Sequence, residues 1–169
     1  MKNYGNVKVY ELMQKAIDIG AHGSMWHHKY MLWAQSHGFQ GHKRLNRWES
    51  TCDREHYIKL QNYCIDMFGE VIEPTWDYIV TAPADIKGYL EAYLDWEDSV
   101  YADLSAISNE LIVMGFPYEA SLVREGLPSK EVEKVRRMLA EYSLSGWDMP
   151  YILLKDRELH NRIKEKEEK

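Results

Sequence analysis

Glu97 stands where its surroundings call for an apolar residue. Ile86, Leu90, Tyr93, Val100, Leu104, Ile107 and Leu111 recur at steps of three and four, the spacing of one helical face, and Glu97 fills the slot left in that stripe. A carboxylate taken into a core alone costs several kcal/mol or picks up a proton, so this position needs a cation, a hydrogen-bond network or a metal. A second group lies in "ESTCDREH". Glu49, Asp53 and His56 are four and three residues apart and share a helical face with the apolar stripe through Cys52 and Leu60. Asp53-x-x-His56 has the spacing of a metal-binding pair, in which hard carboxylate oxygens suit iron or manganese and the imidazole adds a borderline nitrogen. In "SKEVEKVRRML", Glu131 sits one turn before Val135 and Met138, at the edge of an apolar face.

The elements that would carry these residues are helical. From Val7 to about Ser36 there is no proline, and Leu12, Ala16, Ile19, Tyr30 and Trp33 keep helical spacing, with Gly20 and Gly23 weakening the pattern. "HGFQG" reads as a turn into a second helix from about Lys43 to Phe68, ended by Gly69. "EVIEPTWDYIVTAPAD" has two prolines and no helical period, so it predicts an extended connection to a third helix over about 85–115. "GFPYEASLVREGLPSKE" predicts a short helix or turn, Ser129 a cap for a fourth long helix to about Leu144, and Pro150 the start of a last helix over about 151–166. A long crossover lets helices two and three run parallel. The expected fold is therefore all-α, a four-helix bundle of the ferritin-like type with a crossover between helices 2 and 3 and an additional C-terminal helix, in one domain spanning 1–169.

Composition narrows the partners. Lys and Arg total 21 against 27 Asp and Glu, a formal net charge of -6, which argues against nucleic-acid binding through bulk positive charge. Cys52 and Cys64 lie roughly 18 Å apart along one helix and read as reduced thiols. No stretch of about 18 apolar residues exists, and "MKNYGNVKVYELMQK" lacks the apolar core of a signal peptide, so no membrane partner and a cytoplasmic location are expected. Lys155 to Lys169 reads as an exposed helix face with its charges balanced. The tryptophans read as core and interface aromatics and Cys52 as a small buried hydrophobe. His27 and His28, about 100° apart around a helix, read as surface or interface residues.

"HGFQGHKRLNRWESTCDREHYIKLQNY" resembles the turn and second helix of the ferritin family of non-haem iron proteins, "YLDWEDSV" its third helix, and "FGEVIEP" the start of its crossover. The resemblance implies that Glu97, Asp53 and His56 match ligands of a di-iron ferroxidase centre, with Glu131 near an adjoining position. It implies two ferrous ions per chain, manganese as an alternative, dioxygen or peroxide as oxidant, and a homo-oligomer. The first helix departs from the pattern, because Gly20 falls where the family carries a glutamate. Asp18 and His22, at i and i+4, are candidate substitutes that can face one point.

Two functions follow. One is a protein that binds and oxidises ferrous iron for storage or detoxification. The other is a degenerate bundle without a working metal site, serving as an interaction or assembly module. The first helix separates them: a site requires Asp18 or His22 to face Glu97 and His56, whereas a scaffold has Gly20 there and Lys15 or Arg54 neutralising Glu97.

Overall fold

The computed structural model describes residues 7–75 and 80–168; Trp76, expected as a core aromatic, lies outside them. The described residues form six helices: α1 (Val7–Ser36), α2 (Gln40–Phe68), α3 (Ile86–Val113), α4 (Pro117–Arg124), α5 (Ser129–Leu144) and α6 (Met149–Glu167). None of them is in a strand. No helix among them is long and apolar enough to cross a membrane.

Helices α1 and α2 form an antiparallel hairpin about a turn at Gly38, with Ser24 reaching Ser50 and His27 reaching Asn46. Gly69, at φ 77°, ends α2 in the left-handed conformation that a Cβ disfavours. The chain then crosses over, so α3 runs parallel to α2: Asn46 meets Tyr89 near the N-terminal ends of both. The crossover is tied to α1 on the way, where the Trp33 indole donates to the Pro83 carbonyl at 2.9 Å. The Asp85 side chain accepts from the Gly88 amide and caps α3.

The fourth rod has the expected division into a short helix and a longer one. It is shared between α4, only 8 residues, and α5, of 16 residues, with Gly126 and Pro128 in the break between them. Ser129 does not cap α5; Pro128 occupies the cap position and no side chain bonds there, so Ser129 is simply the first helical residue.

Two apolar cores stack along the bundle. One holds Trp26, Tyr30, Trp33, Tyr89, Tyr93 and Tyr142 together with Ile152 and Leu159 of α6. The other joins Leu12, Met13, Ile17, Leu60, Leu104 and Leu111 to Leu122 and Val123 of α4. Trp96 packs against both. Trp48, by contrast, is 39% exposed and not a core residue.

Helix α6 is pinned to the start of α2 by one buried carboxylate. Asp156 accepts from the Gly41 amide at 2.9 Å, the His42 amide at 2.8 Å and His42 Nδ1 at 2.6 Å, so it supplies acceptors to first-turn N–H groups that have none within their own helix. A Cβ on Gly41 would come within 2.0 Å of the Asp156 carbonyl, so only glycine admits this approach. Burial alone would raise the Asp156 pKa, but His42 and the two amides hold it below the ordinary carboxylate value. A depressed pKa contributes stability that is present above the unfolded value of about 3.9 and lost as pH falls through the folded one. Asp156→Ala is therefore expected to cost about 3–5 kcal/mol in urea unfolding at neutral pH, with the difference from the parent shrinking as the pH falls below 4.

Candidate functional site

A polar layer separates the two cores. Glu97 projects from α3 into the bundle at 3% exposure, and His27 of α1 meets it at 2% exposure, with Nε2 3.1 Å from Glu97 Oε1. The same nitrogen lies 3.7 Å from Asp53 Oδ2 on α2. Glu49, one turn before Asp53, is buried at 6% exposure and pairs with Lys134 Nζ of α5 at 3.0 Å. Glu131 completes the acidic group from the first turn of α5. These side chains line a cleft of about 160 Å³ whose wall also includes Glu125 to Pro128, the break in the fourth rod.

The orientation of His27 is set by its other nitrogen. Asn46 Nδ2 donates to the His42 carbonyl at 2.8 Å and to the Tyr89 hydroxyl, leaving Asn46 Oδ1 to accept from His27 Nδ1 at 3.0 Å. With the Nδ1 proton so engaged, Nε2 is the atom presented to the carboxylates. Gly23, one turn before His27, makes room for the opposing acid: a Cβ there would sit 2.4 Å from Asp53 Oδ2.

Glu97 Oε1 is ion-paired to His27 Nε2 without meeting hydrogen-bond geometry, and the Tyr93 hydroxyl one turn earlier on α3 is buried without a hydrogen bond. An unpartnered buried oxygen is uncommon and costly, and here it accompanies a charge cluster. Burial alone would lower the His27 pKa, but Glu97, Asp53 and Glu49 together raise it to about 9. Removal from bulk water and repulsion by Glu97, Glu49 and Glu131 raise Asp53 to about 7, against the opposing pull of His27. Glu97 is raised as well, by burial first and by Glu49 and Glu131, with His27 opposing.

The expected site residues divide accordingly. Glu97, Asp53, Glu49 and Glu131 gather around the layer, but His56 makes other bonds. It lines the same cleft, its Nε2 donates to the Leu122 carbonyl at 3.0 Å, and burial lowers its pKa. Asp18 and His22 face the crossover instead of the layer: Asp18 accepts from Gln14 at 3.0 Å and from the Thr75 amide at 2.9 Å, and His22 Nε2 meets the Thr75 carbonyl at 2.6 Å. Gly20 carries no donor; its Cα packs on Tyr57, where a Cβ would come within 2.9 Å of that residue's own. Neither Lys15 nor Arg54 pairs with Glu97 among the described residues.

His27 corrects the surface reading. Ala16, Gly20, Gly23, His27, Tyr30 and Ala34 are all buried and follow one helical line, whereas His28 is exposed. Cys52 is likewise exposed at the cleft wall and not a buried hydrophobe.

Solved structures align with this chain almost end to end. An open pore ferritin from the hyperthermophilic archaeon Archaeoglobus fulgidus superposes with a TM-score of 0.82 at 13% identity, covering 92% of this chain and 98% of its own. The fold is that of the ferritins. A closed form of the Archaeoglobus fulgidus ferritin, engineered by site-directed mutagenesis, gives 0.78 at 14% identity over 92% and 96% of the two chains, and a humanized archaeal ferritin 0.78 at 15% over the same shares. No protein-family profile matches the sequence, and no curated protein matches it.

Within this ferritin fold the donor set differs from the one the resemblance implied. The first-helix donor is an imidazole, not a carboxylate, and an ammonium, Lys134, occupies one acid. Among the described residues, no group of three or more His, Cys, Asp and Glu side chains is arranged to hold a metal ion as it stands. The chemistry of the donors does fit one cation: an imidazole nitrogen and a buried carboxylate oxygen 3.1 Å apart, with further carboxylates lining the same cleft.

The charge layer gives the metal-free protein a defined pH dependence. With a folded pKa of about 9 against an ordinary value of 6.5, His27 contributes stability that is complete below pH 6.5 and lost as pH rises through 9. Asp53, raised to about 7, acts in the same direction at lower pH. The melting temperature in chelator, followed by circular dichroism, is expected to fall between pH 6.5 and 9.5. Glu97→Gln removes the main anion holding the His27 proton and is expected to move that fall to lower pH.

Proposed function

We propose that the chain is an iron-binding protein of ferritin fold which takes up ferrous iron as cargo, one ion per chain, in the polar layer. His27 Nε2, Glu97 and Asp53 would hold it, with Glu49 and Glu131 as additional oxygen donors. The observation that carries this reading is the convergence of a locked imidazole, His27, on two carboxylates: its Nε2 lies 3.1 Å from the buried Glu97 Oε1 and 3.7 Å from Asp53 Oδ2. In the metal-free chain the His27 proton supplies the positive charge of the layer, and a divalent ion would supply it instead.

The residues of the layer favour binding over rapid oxidation. Reducing dioxygen to peroxide takes two electrons, and a ferrous ion yields one, so a one-ion site lacks the second donor that a di-iron ferroxidase centre provides. What this chain contributes is a hard, anionic shell that favours the ferric over the ferrous state, a polar hydroxyl from Tyr93 beside it, and a cleft that would admit an oxidant such as peroxide. Slow oxidation of retained iron is the activity such a shell supports, and assembly into homo-oligomers would suit storage.

The scaffold reading has its own observation: Lys134 already neutralises Glu49, and Gly20 leaves the first helix one carboxylate short. Anaerobic titration with ferrous or manganous ion separates the two. The binding reading expects about one ion per chain, lost in His27→Ala and in Glu97→Gln. Absence of stoichiometric binding, together with a higher melting temperature in Glu97→Leu, would establish the scaffold, since an unused buried charge would then have been removed.

A further inference from the structure

On the far side of the Glu49–Lys134 pair lies a second cleft, of about 180 Å³, between α2, α5 and α6. Its charged lining is entirely basic: Lys134 and Arg137 from α5, Arg162 and Lys166 from α6. In a chain of net charge -6 such a collection is unusual, and the acids of the C-terminal helix do not offset it. Among the described residues, Arg137, Arg162 and Lys166 form no ion pair, while the neighbouring Glu167 is taken by Arg44 at 2.7 Å. The balanced-face expectation for this tail thus fails on one side of α6. The floor is apolar, made by the buried Leu45, Leu159 and Ile163, and the exposed Trp48 forms a flat wall.

Two guanidinium groups and two ammonium groups over an apolar floor match a dianion attached to a small hydrophobic body. Carboxylate monoanions would leave most of that positive charge uncompensated; a phosphate monoester meets more of it and offers oxygens to both arginines. Trp48 lines this cleft and the acidic one alike, and Lys134 lines the basic cleft while bonding the acid of the other. The two sites therefore share a wall and a charge.

We propose that the basic cleft binds a small phosphate monoester with an aryl or similar apolar body, and that its occupancy draws Lys134 away from Glu49 and so frees that carboxylate for a cation in the polar layer. Lys134 is half-buried, at 27% side-chain exposure, and tethered by one bond, so a phosphate on its solvent side is a competing partner within the same reach. Anion and cation would then reinforce one another's binding, as any coupling between two sites must be reciprocal. The coupling rests on the metal reading above, whereas the anion site does not.

Calorimetric titration of the full metal-free chain with phenyl phosphate tests the site directly. Saturable binding is expected, weaker for inorganic phosphate, which lacks the apolar body, and lost in the double variant Arg137→Gln, Arg162→Gln with an unchanged melting temperature. No saturable binding, or binding only to phosphatidylglycerol vesicles, overturns the proposal. Manganous ion is then titrated with and without saturating phenyl phosphate. Its affinity is expected to rise about fivefold or more. In Lys134→Met the affinity should already be high and indifferent to phenyl phosphate, and the double arginine variant controls for direct chelation. An unchanged manganese affinity in the parent chain overturns the coupling. If manganese does not bind at all, the metal reading fails, and the calorimetry on metal-free protein still decides the anion site.

Discussion

Four carboxylates gathered at mid-height of a helical bundle repel one another, and for the two that are buried, Glu49 and Glu97, little water is at hand to screen the repulsion. The central layer is built around meeting that repulsion. His27 supplies a positive charge from α1 and Lys134 another from α5, each facing a different acid. The compensation is incomplete, as the raised pKa values of Asp53 and Glu97 record. A layer of this kind is a poor way to stabilise a fold, since well-packed apolar residues would serve as well or better, which gives it the character of a site.

The surrounding structure is arranged to hold that layer in place. Asn46 is itself anchored by the His42 carbonyl and the Tyr89 hydroxyl, so the imidazole it orients is fixed at second hand by α2 and α3. Gly23 brings Asp53 to within reach of His27, and Asp156 locks the start of α2, the helix that carries Asn46, Glu49 and Asp53. Stacked aromatics above the layer, Trp26 on Tyr30 and Trp33 on Tyr89, give the bundle a rigid floor against which these polar groups are set. The break in the fourth rod, Glu125 to Pro128, completes the wall of the cleft beside the layer.

Agreement with archaeal ferritin structures over nearly the whole chain, at 13 to 15% identity, shows that very different sequences build this fold. Four helices and a crossover require apolar faces of the right period, and many side chains satisfy that. Which donors meet at mid-height is a separate matter. Here an imidazole comes from α1, His56 of α2 bonds a carbonyl of α4, and a lysine reaches in from α5.

Helix periods, the turn at Gly38, the end of α2 at Gly69, the crossover and the C-terminal helix were all legible in the residues, because each depends on interactions within a few positions of chain. So was the burial of Glu97, since the apolar stripe on either side of it defines its direction. Periodicity gives the angle between neighbouring side chains but not which way the helix is turned, and so it could not choose between His27 and His28 without the partner helices. Nor could it foresee Lys134 on Glu49, His56 on the Leu122 carbonyl, or Asp18 and His22 on the crossover, since every one of these joins residues more than 50 positions apart. Contacts of that kind are selected only when rods already formed settle against one another, and the chemistry of this chain is made of them.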